Sequence, residues 1–144
     1  MRFNDILKLI EKEGNYLEWI YTTKSGIEYK CKIFRNKHMK NLCGYVILTS
    51  DNKFYNVDYN DIPVNVHGGL TFSNFYDGEY MIGFDCAHSG DLLPGLSSLV
   101  NSLLHSDEVY RDMEYVKSEC ESLAEQISDY SLLKIRLEKI DKLI

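Results

Sequence analysis

Two short blocks hold the side chains best suited to chemistry: His67-Gly68-Gly69-Leu70-Thr71-Phe72 and Gly83-Phe84-Asp85-Cys86-Ala87-His88-Ser89-Gly90-Asp91. A histidine paired with a carboxylate has its tautomer fixed, which suits it to base chemistry or to holding a ligand. The Ser89 and Thr71 hydroxyls can hydrogen-bond phosphate or ribose. A turn over His88 to Asp91 exposes successive backbone amides, the makings of an anion-binding concavity. The Gly68-Gly69 pair marks a bulge or a close approach by a ligand.

Period-two alternation predicts strands over 64–72 and 79–87, joined as a hairpin by the Asp77-Gly78 turn signal. With the fold placed about residues 75 and 76, His67 falls within a residue or so of Asp85, and the two are expected to pair across the hairpin. His88 to Asp91 then forms the polar rim, with Phe75, Tyr76 and Tyr80 near enough to stack on a base.

Other readings use the same residues. His67, His88, Asp85 and Asp91 are the right types for a divalent metal, but their spacing matches no metal signature. The leading reading therefore has no cofactor, with a divalent metal as the alternative. Cys86 as a nucleophile is disfavoured, because alternation points it to the core, opposite to Asp85. In a purely structural reading, His67 and His88 satisfy buried hydrogen bonds and the glycines serve a tight hairpin. The chain contains neither a Gly-x-Gly-x-x-Gly loop nor a Gly-Lys-Ser/Thr phosphate loop.

The elements that must position these blocks are legible around them. Phe3, Ile6, Leu7 and Ile10 have helical spacing, and Gly14-Asn15 ends that helix. Residues 16–22, 27–34 and 42–49 read as strands of an antiparallel meander, followed by a turn-rich stretch over 50–63. A short buried helix is expected over 92–105, from Leu96, Leu99, Val100, Leu103 and Leu104. Ser106 is expected to cap a long helix bearing Val109, Met113, Val116, Cys120, Leu123 and Ile127. Leu133, Leu137, Ile140 and Ile144 then continue a narrow apolar stripe that either packs on the domain or pairs with another subunit. The expected fold is α+β: a small antiparallel sheet with a short N-terminal helix and a long C-terminal helical segment. Residues 1–105 carry the site and 106–144 the helical segment, within a single domain overall.

At 144 residues the chain can bury a core without disulfides. Its cysteines, Cys31, Cys43, Cys86 and Cys120, form no Cys-x-x-Cys pair. No apolar run reaches a membrane span, and Met1 to Asp5 lacks the features of a secretory signal. A cytoplasmic protein with free thiols and no membrane association is expected. The net charge of −6 is unevenly placed. Eight acids and two bases lie between Asp107 and Asp129, whereas seven bases and two acids lie between Lys24 and Lys53. That basic segment can attract a small phosphorylated ligand, with Lys37 or Lys53 supplying charge. The acidic helix opposes binding of long nucleic acid.

Several blocks in one order resemble a widespread, uncharacterised family of small phage and prophage proteins. They are Leu42 to Val46, Tyr59 to Ile62, Val66 to Phe72, Gly83 to Asp91, Tyr110 to Val116, and Cys120 with Leu123 to Gln126. The resemblance implies a phage setting, hence a host-cell cytoplasm, and a shared site. Where such proteins carry a Gly-His-Pro segment, this chain has Asp51-Asn52-Lys53, so a histidine's role there is lost or passes to Lys53.

Small accessory phage proteins often act against host defence. The expected function is accordingly an anti-defence protein that binds and sequesters a nucleotide-derived immune signal, a cyclic nucleotide or an ADP-ribose derivative. The expected ligand contacts are His67, Gly68, Gly69, Thr71, Asp85, His88, Ser89, Asp91 and Lys53, with homo-oligomerisation through the C-terminal helices. The alternative is a phosphodiesterase or other hydrolase in which His67 or His88 acts as base, oriented by Asp85 or Asp91. A third reading makes the acidic helix a nucleic-acid mimic that inhibits a protein.

Overall fold

The computed structural model describes residues 3–96 and 107–143, and it is α+β. Helix α1 (Phe3–Glu13) is followed by strands β1 (Tyr16–Thr22), β2 (Glu28–Arg35) and β3 (Leu42–Leu48). After a single 3-10 turn at Tyr59–Asp61 come β4 (Phe72–Tyr76), β5 (Glu79–Asp85) and the 31-residue helix α2 (Met113–Leu143). The five strands form one antiparallel sheet in the order β1-β2-β3-β5-β4. The expected meander is thus present, and a hairpin joins it through β3 and β5, but the first strand of that hairpin is 72–76 and not the expected 64–72. Most of the short helix expected over 92–105, the Ser106 cap, the Leu133 side chain and Ile144 lie outside the described residues.

Helix α2 lies across one face of the sheet. Val116, Cys120, Leu123, Ala124 and Ile127 are fully buried there, in one core cluster with Cys31, Ile33, Leu42, Val46, Leu48, Ile82 and Phe84. Their spacing of three and four is the predicted stripe, and each large aliphatic side chain so buried contributes about 1.5–3 kcal/mol. Gly44 permits the close approach, since a Cβ there would lie 2.6 Å from Cys120 Sγ.

The start of α2 differs from expectation. It begins at Met113, where the Asp112 carboxylate accepts from the Tyr115 amide at 2.8 Å, a local N-cap. The preceding residues are extended: Val109 exchanges hydrogen bonds with Gly90 and Leu92, and its side chain is half exposed. A backbone paired with the 90–92 segment cannot also be helical. The acids of α2 also reach inward, with Glu119 accepting from the His67 amide, Glu121 from Trp19 and Glu125 from Tyr21. These three acids are therefore committed within the fold.

Among the described residues, the helix with extensive contacts to the sheet is α2, and the other face is the one opposite to it. Alternation puts Phe34, Cys43, Tyr45, Phe72, Tyr76, Met81 and Asp85 there. No helix among the described residues is long and apolar enough to cross a membrane.

Candidate functional site

The hairpin register decides which of the predicted residues meet. The turn is Asp77-Gly78, with φ of 51° and 81°, and it pairs Tyr76 with Glu79 and Phe72 with Gly83. Glycine meets this left-handed requirement without strain, and aspartate is among the residues that tolerate it. Extended backward, this register sets position 67 against position 88, three residues beyond Asp85. The 64–71 stretch also leaves the sheet: Asn65 exchanges two hydrogen bonds with the Gln126 side chain on α2, at 2.7 and 2.8 Å. The expected His67 to Asp85 pair is therefore not formed.

His67 belongs instead to a buried polar knot. Its Nε2 lies 2.8 Å from Asp91 Oδ2 and its Nδ1 lies 2.8 Å from the Tyr115 hydroxyl. In the neutral ring, Nε2–H donates to the carboxylate and Nδ1 accepts from the phenol, so neither nitrogen is left for a substrate proton. The Asp91 side chain is 1% exposed and also accepts from Arg111 Nε and from the His88 amide, both at 3.0 Å. Burial by itself would raise the Asp91 carboxyl, but the His67, His88 and Arg111 donors outweigh it and hold it below the ordinary carboxylate range. Arg111 lies over the Tyr115 ring, 5.2 Å from its centroid. The structural reading, in which His67 and His88 satisfy buried hydrogen bonds, thus describes His67 but not His88, whose Nε2 makes none; His67 and Asp91 join the 64–71 loop, the 86–92 turn and the start of α2.

Thr71, Asp85 and His88 face the open side of the sheet. They line a cleft of about 550 Å³ with Asn36, Asn41, Cys43, Tyr45 and Phe72. Tyr45 and Phe72 also wall a neighbouring aromatic depression of about 260 Å³, completed by Phe34, Tyr76 and Met81. The rings meet edge to face, with centroids 5.5 Å apart for Tyr45 and Phe72 and 6.3 Å apart for Phe34 and Tyr76. Gly83 leaves the floor open for Tyr45, whose Cδ1 would be 2.3 Å from an added Cβ.

Asp85 Oδ2 accepts from the Thr71 hydroxyl at 2.9 Å and Oδ1 from the Ala87 amide at 3.1 Å. His88 Nε2 approaches Asp85 Oδ1 to 3.2 Å, an ion pair when the ring is protonated, yet this shielded nitrogen makes no hydrogen bond. The ring is seated by Gly68, where φ is +68° and a Cβ would lie 2.2 Å from His88 Cδ2. His88 meets His67 edge-on at 6.1 Å and so connects knot and cleft.

Other expectations are corrected by placement. Lys53 lies over the Phe54 and Tyr130 rings on the helix side, 5.4 and 5.9 Å from their centroids, and not at the cleft. Much of the basic segment is neutralised internally, Lys30 and Lys32 by Glu79 and Arg35 by Glu13. Lys37 stays exposed on the 36–40 loop beside the cleft. Two amides of the expected anion concavity are committed within the turn, that of His88 to the Asp91 carboxylate and that of Asp91 to the His88 carbonyl, and the neighbouring Ala87 amide bonds to Asp85. Ser89 is exposed and does not line the cleft. Gly69 serves a turn, its amide donating to the Val66 carbonyl.

Among the described residues no three His, Cys, Asp or Glu side chains converge as metal ligands. His67, His88, Asp85 and Asp91 divide between knot and cleft, and Asp91 is already paired with His67 and Arg111. Cys86 is buried, and burial pushes its thiol well up, as it does for Cys31, to about 12.

Of the aromatics expected to stack on a ligand, only Tyr76 lines the depression. Tyr80 is buried and donates to the Val57 carbonyl, and Phe75 packs on Tyr55 and Tyr80. Phe34 and Tyr45 were missed as site residues, although alternation within β2 and β3 places them away from the buried Cys31, Ile33 and Val46, and Phe72 closed the first block without a role of its own. Arg111 and Tyr115 were also missed, because nothing in their spacing points to Asp91. No protein-family model, curated protein or solved structure matches the chain.

Proposed function

We propose that this chain binds and sequesters a small nucleotide-derived signal in the open-face cleft, as an anti-defence protein of a phage acting in the host cytoplasm. The observation that carries the binding reading is the junction of an aromatic depression with a polar end holding Thr71, Asp85 and His88. Flat apolar walls accept a nucleobase by stacking, and a few polar groups at one end orient it. The phage setting rests on the sequence resemblance.

Holding is favoured over hydrolysis by the state of the candidate bases. His67 has both ring nitrogens engaged and Asp91 is enclosed, which leaves His88 beside Asp85 as the one acid-base pair in the cleft. Incubation with cyclic nucleotides and ADP-ribose derivatives, followed by denaturation and mass spectrometry, tests the reading. Intact ligand recovered in proportion to protein is the expected result. Product in excess of protein would sink sequestration and favour the hydrolase, with His88 as its base.

The end of α2 supports the oligomer. Leu137 and Ile140 are each about half exposed, at 54% and 51%, on a helix that continues past its buried stripe. A second copy's helix would cover them. Sedimentation equilibrium should find a homo-oligomer for the wild-type chain and a monomer for Leu137→Glu/Ile140→Glu. A monomeric wild type would remove this part of the proposal.

A further inference from the structure

Resting on the binding reading, we infer that the cleft selects a base with two adjacent N–H donors, the guanine pattern, and that Asp85 is the residue that reads it. The charge of the polar end decides the ligand's orientation. A carboxylate there repels phosphate, and the Ala87, His88 and Asp91 amides are already bonded within the 85–91 turn. The phosphate therefore points away from Asp85, toward solvent and the exposed Lys37 and Lys40 on the bordering loop. The base edge takes the polar end.

The vacancies on Asp85 match that edge. Each carboxylate oxygen can accept two hydrogen bonds. Oδ2 holds one, from Thr71, and Oδ1 holds one, from Ala87, with His88 Nε2 3.2 Å from Oδ1 but not hydrogen-bonded to it, so each oxygen keeps a further acceptor position while that ring is neutral. Two acceptors side by side complement guanine N1–H and the N2 amino group, whereas adenine offers an acceptor where guanine offers N1–H. The carboxylate is about one-third exposed, so it is reachable from the cleft. Tyr45 connects it to the stacking surface: Tyr45 pairs with Gly83 and Cys43 with Asp85 on adjacent strands, which places ring and carboxylate on one face. A base stacked along Tyr45 and Phe72 thus has its edge at Asp85.

Calorimetric titration of the full chain with GMP, IMP, AMP and CMP tests this. GMP should bind at least about tenfold more tightly than AMP or CMP, the discrimination expected of a bidentate pair. IMP, which keeps N1–H but lacks the amino group, should fall between. Asp85→Asn replaces one acceptor by a donor and should erase the preference for GMP over AMP, with folding checked by thermal unfolding. The ranking of GMP, IMP and AMP on the wild-type chain decides the matter even if that variant does not fold. Equal binding of all four nucleotides overturns the guanine assignment and leaves the binding reading standing. Failure of all four to bind also overturns the guanine assignment, and recovery of cyclic nucleotides or ADP-ribose derivatives then decides the binding reading by itself.

Discussion

Asp91→Ala is expected to destabilise the chain by about 3–5 kcal/mol, the usual cost of stripping one partner from a buried charge pair. For a domain whose total stability is of order 5–15 kcal/mol, this approaches global unfolding. The loss follows from what the carboxylate holds: His67 at 2.8 Å, Arg111 at 3.0 Å and the His88 amide at 3.0 Å. Without it the Arg111 charge and the His67 N–H lose their acceptor, and the turn that presents His88 loses its anchor. Urea denaturation should show a lower midpoint at an unchanged slope. A shift worth less than about 1 kcal/mol would contradict the role given to the knot. The pH dependence has a definite sign. Because the folded carboxyl titrates below its unfolded value, Asp91's contribution is complete above roughly pH 4 and fades as pH falls through the folded value. Asp91→Ala should accordingly flatten the acid limb of the stability profile.

Glu13→Ala is expected to cost a similar amount, at the opposite end of the chain. The Arg35 side chain is 2% exposed and its guanidinium contacts Glu13 at 3.3 Å, the Gly14 and Lys40 carbonyls and the Tyr110 hydroxyl. Glu13 also accepts from Tyr110 at 2.8 Å and from the Met113 amide at 2.6 Å, so it helps seat the first turn of α2. Removing Glu13 leaves a buried guanidinium without its counter-charge, a loss of about 3–5 kcal/mol. The double replacement Glu13→Leu/Arg35→Met should cost clearly less than the two single losses combined, as coupled neighbours do. Additive losses would show that the two side chains do not act as a pair. This cluster was not anticipated, since nothing local to Glu13, Arg35 or Tyr110 indicates that they meet.

The two site blocks show where sequence reasoning held and where it stopped. Asp85 does line the cleft and Cys86 does turn to the core, because alternation along β5 needs only the strand itself, whereas Thr71 and His88 reach the same cleft from the loops beyond β4 and β5. The pairing of His67 required more: the position of the turn and the length of β4. Placing the fold at 75 and 76 rather than at Asp77-Gly78 moved the partner by three residues, from His88 to Asp85. The 64–71 stretch, read as strand, is held by Gln126 and Glu119, residues more than fifty positions away.

By itself, then, the sequence determined the α+β class, four of the five strands, the buried stripe of α2 and the residue types available for a site. Periodicity encodes which face of an element is buried, and it is a local property. Only the tertiary structure decided that His67 and Asp91 form a support closed by Arg111 and Tyr115, and that Phe34, Tyr45 and Phe72 meet beside Asp85. Those contacts depend on strand order, register and helix docking, which are set by packing the whole chain at once.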